Sequence, residues 1–253
     1  MIHLSKFLIG FRHKRVFRAK SMLGQIIDGI LEECPEQFTR VTETHDREEL
    51  ILTDSKDTIL LRNNKDDIIL ENAKLFDRET KKYVEADKKK LIAIAEKCLP
   101  VIARTIGLQQ DFKRIGMIFE FRIPKRDEMN SDGFAQIIHS KFVNYPISAL
   151  SDAEIAESSV RFAYKLRMPG GGVIRKFKDH RNVIIRVEES GGIDEDGSTQ
   201  KCLFLSVDIQ HYYDPSRKIN DISIADHFDF AWDHLKQNVV PEFLKKGVRI
   251  NYE

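Results

Sequence analysis

The residues best suited to bind a ligand are basic side chains around a run of three glycines. Arg161, Lys165 and Arg167 alternate along a segment with strand character, which places them on one side of it. The glycines and the basic residues after them are Gly170, Gly171, Gly172, Arg175, Lys176, Lys178 and Arg181. A glycine-rich turn lets backbone N–H groups approach a phosphate, and arginines donate to its oxygens. The pattern predicts a site for nucleic acid or a nucleotide, but it matches neither GxGxxG nor GxxxxGK(S/T), so a solvated hairpin is the alternative.

A second basic stretch near the N-terminus could add to the same surface. It contains Arg12, His13, Lys14, Arg15 and Arg18. The chain as a whole has no such bias, because Lys and Arg number 41 against 40 Asp and Glu. Any binding of nucleic acid or of an anionic membrane must therefore come from a local patch.

Carboxylates and histidines elsewhere do not form a recognised catalytic or metal-binding pattern. The candidate sets are Glu79 and Lys81 with Asp66 or Asp67; Asp208, His211 and Asp214; and His227 with His234. The first set has the ExK spacing of metal-dependent nucleases, but its charged context indicates a solvated loop. The histidines of the last set lack the HExxH spacing, and polar surface residues are the simpler interpretation of both remaining sets. The sequence therefore predicts no metal site and no cofactor, identifies no catalytic residue, and favours a protein that is not an enzyme.

The three cysteines, Cys34, Cys98 and Cys202, are far apart in the chain and form no CxxC pair. That spacing argues against a disulfide framework and against a zinc site. Each cysteine lies in an apolar stretch, as expected of buried thiols in a reducing compartment. No apolar run approaches the ~20 residues needed to cross a bilayer. We expect a cytoplasmic protein that does not bind membranes.

The hydrophobic pattern of residues 1–110 predicts a strand, a helix, three short strands and a second helix. The predicted strands are Leu4–Arg12, Leu50–Thr53, Thr58–Leu61 and Ile68–Leu70. Ser21 is expected to cap the first helix, and Pro35 to end it. Pro100 should kink the second helix, which ends near Gly107.

Residues 111–253 repeat this order. The predicted strands are Ile115–Ile123, Val160–Met168, Val173–Val187 and Leu203–Tyr213. The segment Val160–Met168 alternates without a break and is expected to bury one face. Pro146 ends the first helical region, and Pro241 interrupts the closing helix before Gly247, as the prolines of the first half do.

These matches predict an α+β fold of duplicated strand–helix–three-strand–helix halves, with a mainly antiparallel sheet and helices packed on one face. The halves are residues 1–110 and 111–253, and only the second carries the glycine-rich basic hairpin and the closing helix. One continuous domain is the alternative.

Three aromatic side chains of the closing helix are candidates for a protein interface. They are Phe228, Trp232 and Phe243. Large aromatics anchor many interfaces. Core packing is the alternative, and it is favoured for Trp232, which lies at the centre of the apolar stripe.

Three segments and the order of the elements carry a resemblance to a known family. They are Arg114–Arg122, an apolar strand; Leu203–Ile209, which turns from apolar to acidic; and Phe228–Phe243, the closing helix. They are similar to the central strand, a late strand and the last helix of a sporadically distributed family of bacterial α+β proteins of about this length, most of them uncharacterised. The resemblance covers most of the chain as order and pattern. It implies a bacterial or phage origin, and it supplies no reaction and no catalytic residue.

Two functions remain open. The first is a non-enzymatic interaction or assembly subunit of a bacterial system, which works as a homo-oligomer or with a protein partner. Because sporadic bacterial families often serve mobile elements or defence, the resemblance implies an accessory role in defence against phage. The alternative is a nucleic-acid or nucleotide binding protein, including a nuclease-type enzyme, that uses the basic glycine-rich hairpin.

Overall fold

The computed structural model of the protein describes residues 3–44, 49–54, 59–73, 76–77, 82–83, 87–124, 137–143, 158–166, 179–193 and 199–245. Its strands are β1 (His3–His13), β2 (Arg40–Thr44), β3 (Glu49–Thr53), β4 (Ile59–Asn63), β5 (Asp67–Ala73), β6 (Phe76–Asp77), β7 (Lys82–Tyr83), β8 (Phe112–Pro124), β9 (Ser159–Leu166), β10 (His180–Ile193) and β11 (Thr199–Arg217). Nine of them form one sheet in the order β2-β3-β4-β5-β1-β8-β11-β10-β9, and β6 pairs only with β7. Every pair of neighbours in the large sheet is antiparallel.

One face of the sheet is apolar because side chains alternate between the faces of a strand. The central strands β1 and β8 bury Phe7, Ile9, Phe11, Ile115, Met117, Phe119 and Phe121 on this face. Strands β10 and β11 continue it with Val183, Ile185, Val187, Leu203, Leu205, Val207 and Ile209. The described helices bury their apolar sides in the same core. We call this side the covered face and the opposite side the open face.

The helices of the described part of the chain are α1 (Leu23–Glu33), α2 (Lys88–Thr105), α3 (Ile224–His234) and α4 (Val240–Lys245). Shorter turns are the 3-10 segments Phe17–Met22 and Ile219–Asp221 and the π-helical segments His139–Val143 and Leu235–Val239. Asp87 and Ser223 cap α2 and α3, because their side chains accept backbone N–H groups of the first turn at 2.9 and 3.1 Å.

Gly107 ends α2 as predicted. Its φ of 69° lies in the left-handed region that favours glycine. The N–H of Leu108 donates to the carbonyl of Ala103 at 2.8 Å, and that of Gly107 donates to Arg104 at 3.2 Å. These two bonds satisfy carbonyls that the helix end would otherwise leave free. Pro100 lies inside α2 with its ring exposed to solvent.

The predicted strands of the first half are present, but the prediction missed β2 and the two-residue strands β6 and β7. Ser21 does not cap α1, because it lies within the preceding 3-10 turn and the helix begins after Met22. Four strands of the large sheet, β2 to β5, therefore stand where three were predicted. The coarser prediction, an α+β fold with a mainly antiparallel sheet, is confirmed. No helix in the described ranges is long and apolar enough to cross a membrane.

The prediction that the strand after Val160 buries one face is wrong. Strand β9 lies at the edge of the sheet, paired only with β10 among the described strands. Phe162 and Tyr164 point to the covered side yet remain 42% and 38% exposed. Alternation identifies the apolar side of a strand, but burial also requires a neighbour that covers it.

Candidate functional site

Two exposed basic side chains of β9 lie on the open face. Arg161 and Lys165 alternate with the aromatic residues of the covered side, so the predicted arrangement on one face is correct for these two. Arg161 is the direct cross-strand partner of Arg186 on β10, and Arg186 is also exposed. Like charges placed directly opposite in a sheet destabilise it. Within the described part of the chain, no carboxylate forms an ion pair with any of the three cations.

A second pair of opposed arginines lies on the open face at the centre of the sheet. Arg12 of β1 is the cross-strand partner of Arg114 of β8. Nε of Arg12 lies 4.0 Å from the Asp67 carboxylate, which is a long ion pair. Arg114 donates to the hydroxyl of Tyr212 at 3.2 Å. The two arginine pairs are six residues apart along β11, because Arg186 is level with Ser206 and Arg114 with Tyr212. This offset corresponds to about 20 Å along the strand direction.

A relay of polar side chains lies between the two arginine pairs. Tyr212 donates to the amide oxygen of Gln210 at 2.9 Å, and the amide nitrogen of Gln210 donates to Asp208. Burial raises the pKa of Asp208, and likewise the pKa of Glu120, above their usual values. Both carboxylates therefore hold their negative charge less readily than exposed acids do.

At the opposite end of the open face, one carboxylate forms ion pairs with two cations. Glu71 lies 3.2 Å from Lys6 and 2.9 Å from Arg62. Arg161, Lys165 and Arg186, which form no ion pair with a described carboxylate, lie toward β9 and β10, where Asp208 attracts Arg161 electrostatically.

Of the other predicted phosphate-binding residues, Arg181 lies on the other side of the sheet. It pairs with Leu166 and His211, and its guanidinium lies 3.5 Å from the ring centre of Phe230 in α3. Burial lowers its pKa. Arg181 therefore does not share a surface with Arg161 and Lys165. The remaining members, Arg167, Gly170, Gly171, Gly172, Arg175, Lys176 and Lys178, lie outside the described residues, as do Glu79 and Lys81.

Two histidines that the sequence left as surface residues lie between α3 and the sheet: His227 of α3 is buried, and His211 of β11 is partly buried. Nε2 of His227 is 3.2 Å from the carbonyl oxygen of Ile209, which can only accept, so Nε2 carries the proton. Its ring centre is 6.1 Å from that of His211. Burial lowers the pKa of His227 to about 3, with the nearby His211 as the next cause. Burial and the nearby Arg181 lower the pKa of His211 to about 4.

These histidines do not form a metal centre. Nε2 of His211 is 3.9 Å from Asp179, whose carboxylate accepts from Arg217 at 3.0 Å. No group of three or more His, Cys, Asp or Glu side chains in the described ranges is arranged to hold a metal ion. The cluster instead places neutral imidazoles beside the guanidinium of Arg181.

The three predicted interface residues pack internally. Phe228 contacts Phe7 edge to face and stacks on Trp232, whose other contacts include Phe119 and the Lys88 ammonium 3.8 Å from the ring centre. Phe243 is only 4% exposed and packs on Phe142. Phe243 is buried, and Phe228 and Trp232 are partly buried against the core, which favours core packing, the alternative raised from the sequence.

Sequence reasoning missed Arg186 and the opposition of Arg12 to Arg114. Arg186 stands between apolar residues of a predicted strand, so the alternation of β10 could have identified it. The cross-strand partners required the register, which the sequence does not display. No protein-family model matches this chain, and no curated protein matches it significantly in sequence.

Proposed function

We propose that the protein is a non-enzymatic binding protein whose open face holds a polyanion, and that this polyanion is nucleic acid. The observation that carries the proposal is the direct opposition of Arg161 to Arg186 on an exposed surface. Such a pair lowers the stability of the free protein, and a bound phosphate between the two guanidiniums would reverse the sign of the interaction.

The second arginine pair gives the proposed ligand its length. A polyanion that contacts both Arg186 and Arg114 must extend about 20 Å along the strands. A single phosphate cannot do so, whereas a nucleic-acid backbone places a charge every few ångströms. Because the chain as a whole is nearly neutral, this attraction depends on the local cluster of cations on the open face.

The test is a charge reversal with a matched control. We expect the double variant Arg161→Glu/Arg186→Glu to bind labelled DNA or RNA at least tenfold more weakly than the wild type in fluorescence anisotropy. Each lost phosphate contact should also reduce the slope of log K against log salt by roughly 0.7–0.9. The control, Lys97→Glu/Arg104→Glu, makes the same change in net charge at exposed positions of α2 on the covered side. It should leave the affinity within about twofold, because charges beyond a Debye length are screened.

Two results would contradict the proposal. One is a wild type that does not bind nucleic acid even at low salt. The other is an equal loss of affinity in both charge-reversal variants, which would indicate non-specific attraction.

A second candidate function is assembly through the β9 edge. Its supporting observation is the exposure of Phe162 and Tyr164 on an edge strand, because such strands pair readily with other chains. The resemblance to a sporadic bacterial family supports this candidate, as an accessory subunit in phage defence. The duplication of two halves also belongs to the proposal. It is supported by the central pairing of β1 with β8, the first strands of the two halves.

The oligomeric state tests this candidate. We expect an oligomer by light scattering that Phe162→Thr/Tyr164→Thr converts to a monomer. Phe17→Ser, which removes a 70% exposed phenylalanine elsewhere, should leave the oligomer intact. A wild type that is monomeric at all concentrations would exclude assembly between copies of this chain.

A further inference from the structure

The thiols of Cys34 and Cys98 are in contact, although 64 positions separate them in the chain. Their Sγ atoms are 3.6 Å apart, and the side chains are 6% and 0% exposed. A disulfide holds its sulfurs at about 2.05 Å, so the two atoms need to approach by about 1.5 Å. The spacing argument from the sequence could not detect this pair, because the contact is made between two helices.

Close packing of the helices holds the two thiols together. Cys34 directly follows α1, and its N–H donates to the carbonyl of Ile30 at 2.8 Å. Cys98 lies within α2. A Cβ built on Gly29 of α1 would come within 2.7 Å of Val101 of α2, so the absence of a side chain at this position permits the helices to approach. The thiols therefore face each other across a tight interface.

We propose that Cys34 and Cys98 form a redox-sensitive pair, which a hydroperoxide oxidises to a disulfide that links α1 to α2. In the first step the Cys34 sulfur attacks the peroxide, the O–O bond breaks, and a sulfenic acid and one water form for hydrogen peroxide. In the second step the Cys98 sulfur attacks that sulfenic sulfur, the S–O bond breaks, and a second water leaves with the Cys98 proton. Two thiols lose two electrons to one peroxide, and a dithiol reductant restores them by exchange.

The order of these steps follows from the positions of the two residues. Cys34 is the more exposed thiol and lies where the chain leaves the helix. Burial and the neighbouring Cys34 raise the pKa of the Cys98 thiol. Cys98 is therefore poorly suited to react first with a dissolved oxidant, and its attack depends on the sulfenic sulfur beside it. We expect oxidation over minutes to hours, limited by opening of the end of α1.

The disulfide would close a loop that contains β2 to β7 and so restrict the unfolded chain. We expect the melting temperature to rise on the order of 10 °C. The thiols lie among the helices of the covered side, so the open face should bind its ligand equally well before and after oxidation. The redox pair can therefore be tested independently of the proposed function.

The experiment treats the folded wild type with hydrogen peroxide and maps the tryptic peptides without reduction. Trypsin releases residues 21–40 and 98–104, which contain one cysteine each. We expect these two peptides to be linked, together with a higher melting temperature, and we expect a dithiol to reverse both. The Cys202→Ser variant should behave identically. The same oxidation in guanidinium chloride provides the random reference, in which Cys202 also pairs.

Three results would overturn the proposal. The first is oxidation of the folded protein without a link between the two peptides. The second is a distribution of links equal to that of the unfolded chain. The third is a specific link that leaves the melting temperature unchanged, because it would show that the bond does not lock the helices.

Discussion

Replacing His227 by leucine should make the protein less sensitive to acid. His227 of α3 is 3% exposed, and burial holds its pKa at about 3. In the unfolded chain the same histidine titrates near 6.5. The unfolded state therefore binds more protons than the folded state between these values. The contribution of the neutral His227 to stability is therefore fully present above about pH 6.5 and is lost as the pH falls toward 3.

The size of the effect follows from the same shift. Between pH 6 and 5, a histidine that stays neutral when folded and titrates normally when unfolded costs about 1 kcal/mol of stability. His211, with a side chain 13% exposed and a pKa lowered to about 4, adds a similar amount. The pair should thus reduce the free energy of unfolding by about 2 kcal/mol over this unit. Burial also lowers the pKa values of His13 and His234, which act in the same direction in every variant compared.

The assay is urea unfolding followed by circular dichroism at pH 7, 6 and 5. His227→Leu loses the hydrogen bond to Ile209 at every pH. Between pH 6 and 5, however, it should lose about 1 kcal/mol less stability than the wild type. The control is Ala231→Gly, at a buried position of the same helix that does not titrate. It should lower stability by about 1 kcal/mol at each pH and keep the wild-type pH dependence. An unchanged pH dependence in His227→Leu would refute a neutral, buried imidazole.

Substitutions at four further positions test local packing and helix capping. Gly29→Ala should destabilise the protein by roughly 1–3 kcal/mol in thermal unfolding, because its Cβ would meet Val101, whereas Gly24→Ala on the same helix meets nothing within 4 Å and should stabilise by roughly 0.5–1 kcal/mol. Equal effects at the two positions would contradict the close approach of α1 to α2. Gly10→Val on the open face should raise the melting temperature, since its Cβ also meets nothing within 4 Å and valine favours strands. Ser223→Ala should cost about 1 kcal/mol by removing the cap of α3, and Ser223→Asp should retain the stability.

The long strands could be predicted because their pattern is local. Strands β1 and β8 place large apolar residues at alternate positions, and this period is visible without any knowledge of their neighbours. Strand β2 was missed because it is short, polar and at an edge, where Val41 is 48% exposed. The burial of β9 was overestimated for a related reason. An aromatic at an edge shows the same alternation as one at the centre of the sheet.

The candidate sites depend on register and on contacts between distant segments, which the sequence displays only in part. Arg161 and Lys165 were placed on one face correctly because they belong to one strand. Arg181 was grouped with them although it is in phase with the buried Val183 and Val187 of its own strand, so the alternation of β10 could have placed it on the opposite face. The contact of Cys34 with Cys98 likewise arises from the packing of two helices.

The β9 and β10 end of the sheet differs from the β4 and β5 end in the partners of its charged side chains. At the β4 and β5 end, the buried Glu71 is held by two cations, so that region is satisfied within the chain. At the β9 end, Arg161 opposes Arg186 on one face while Phe162 and Tyr164 remain exposed on the other. Like charges on neighbouring strands reduce the stability of the free protein, and exposed aromatics reduce its solubility. An anion would relieve only the arginines and a protein edge only the aromatics. The arginines and the aromatics lie on opposite faces of the sheet, so a nucleic-acid backbone along the open face would contact only the arginines, and the two proposed functions require separate surfaces.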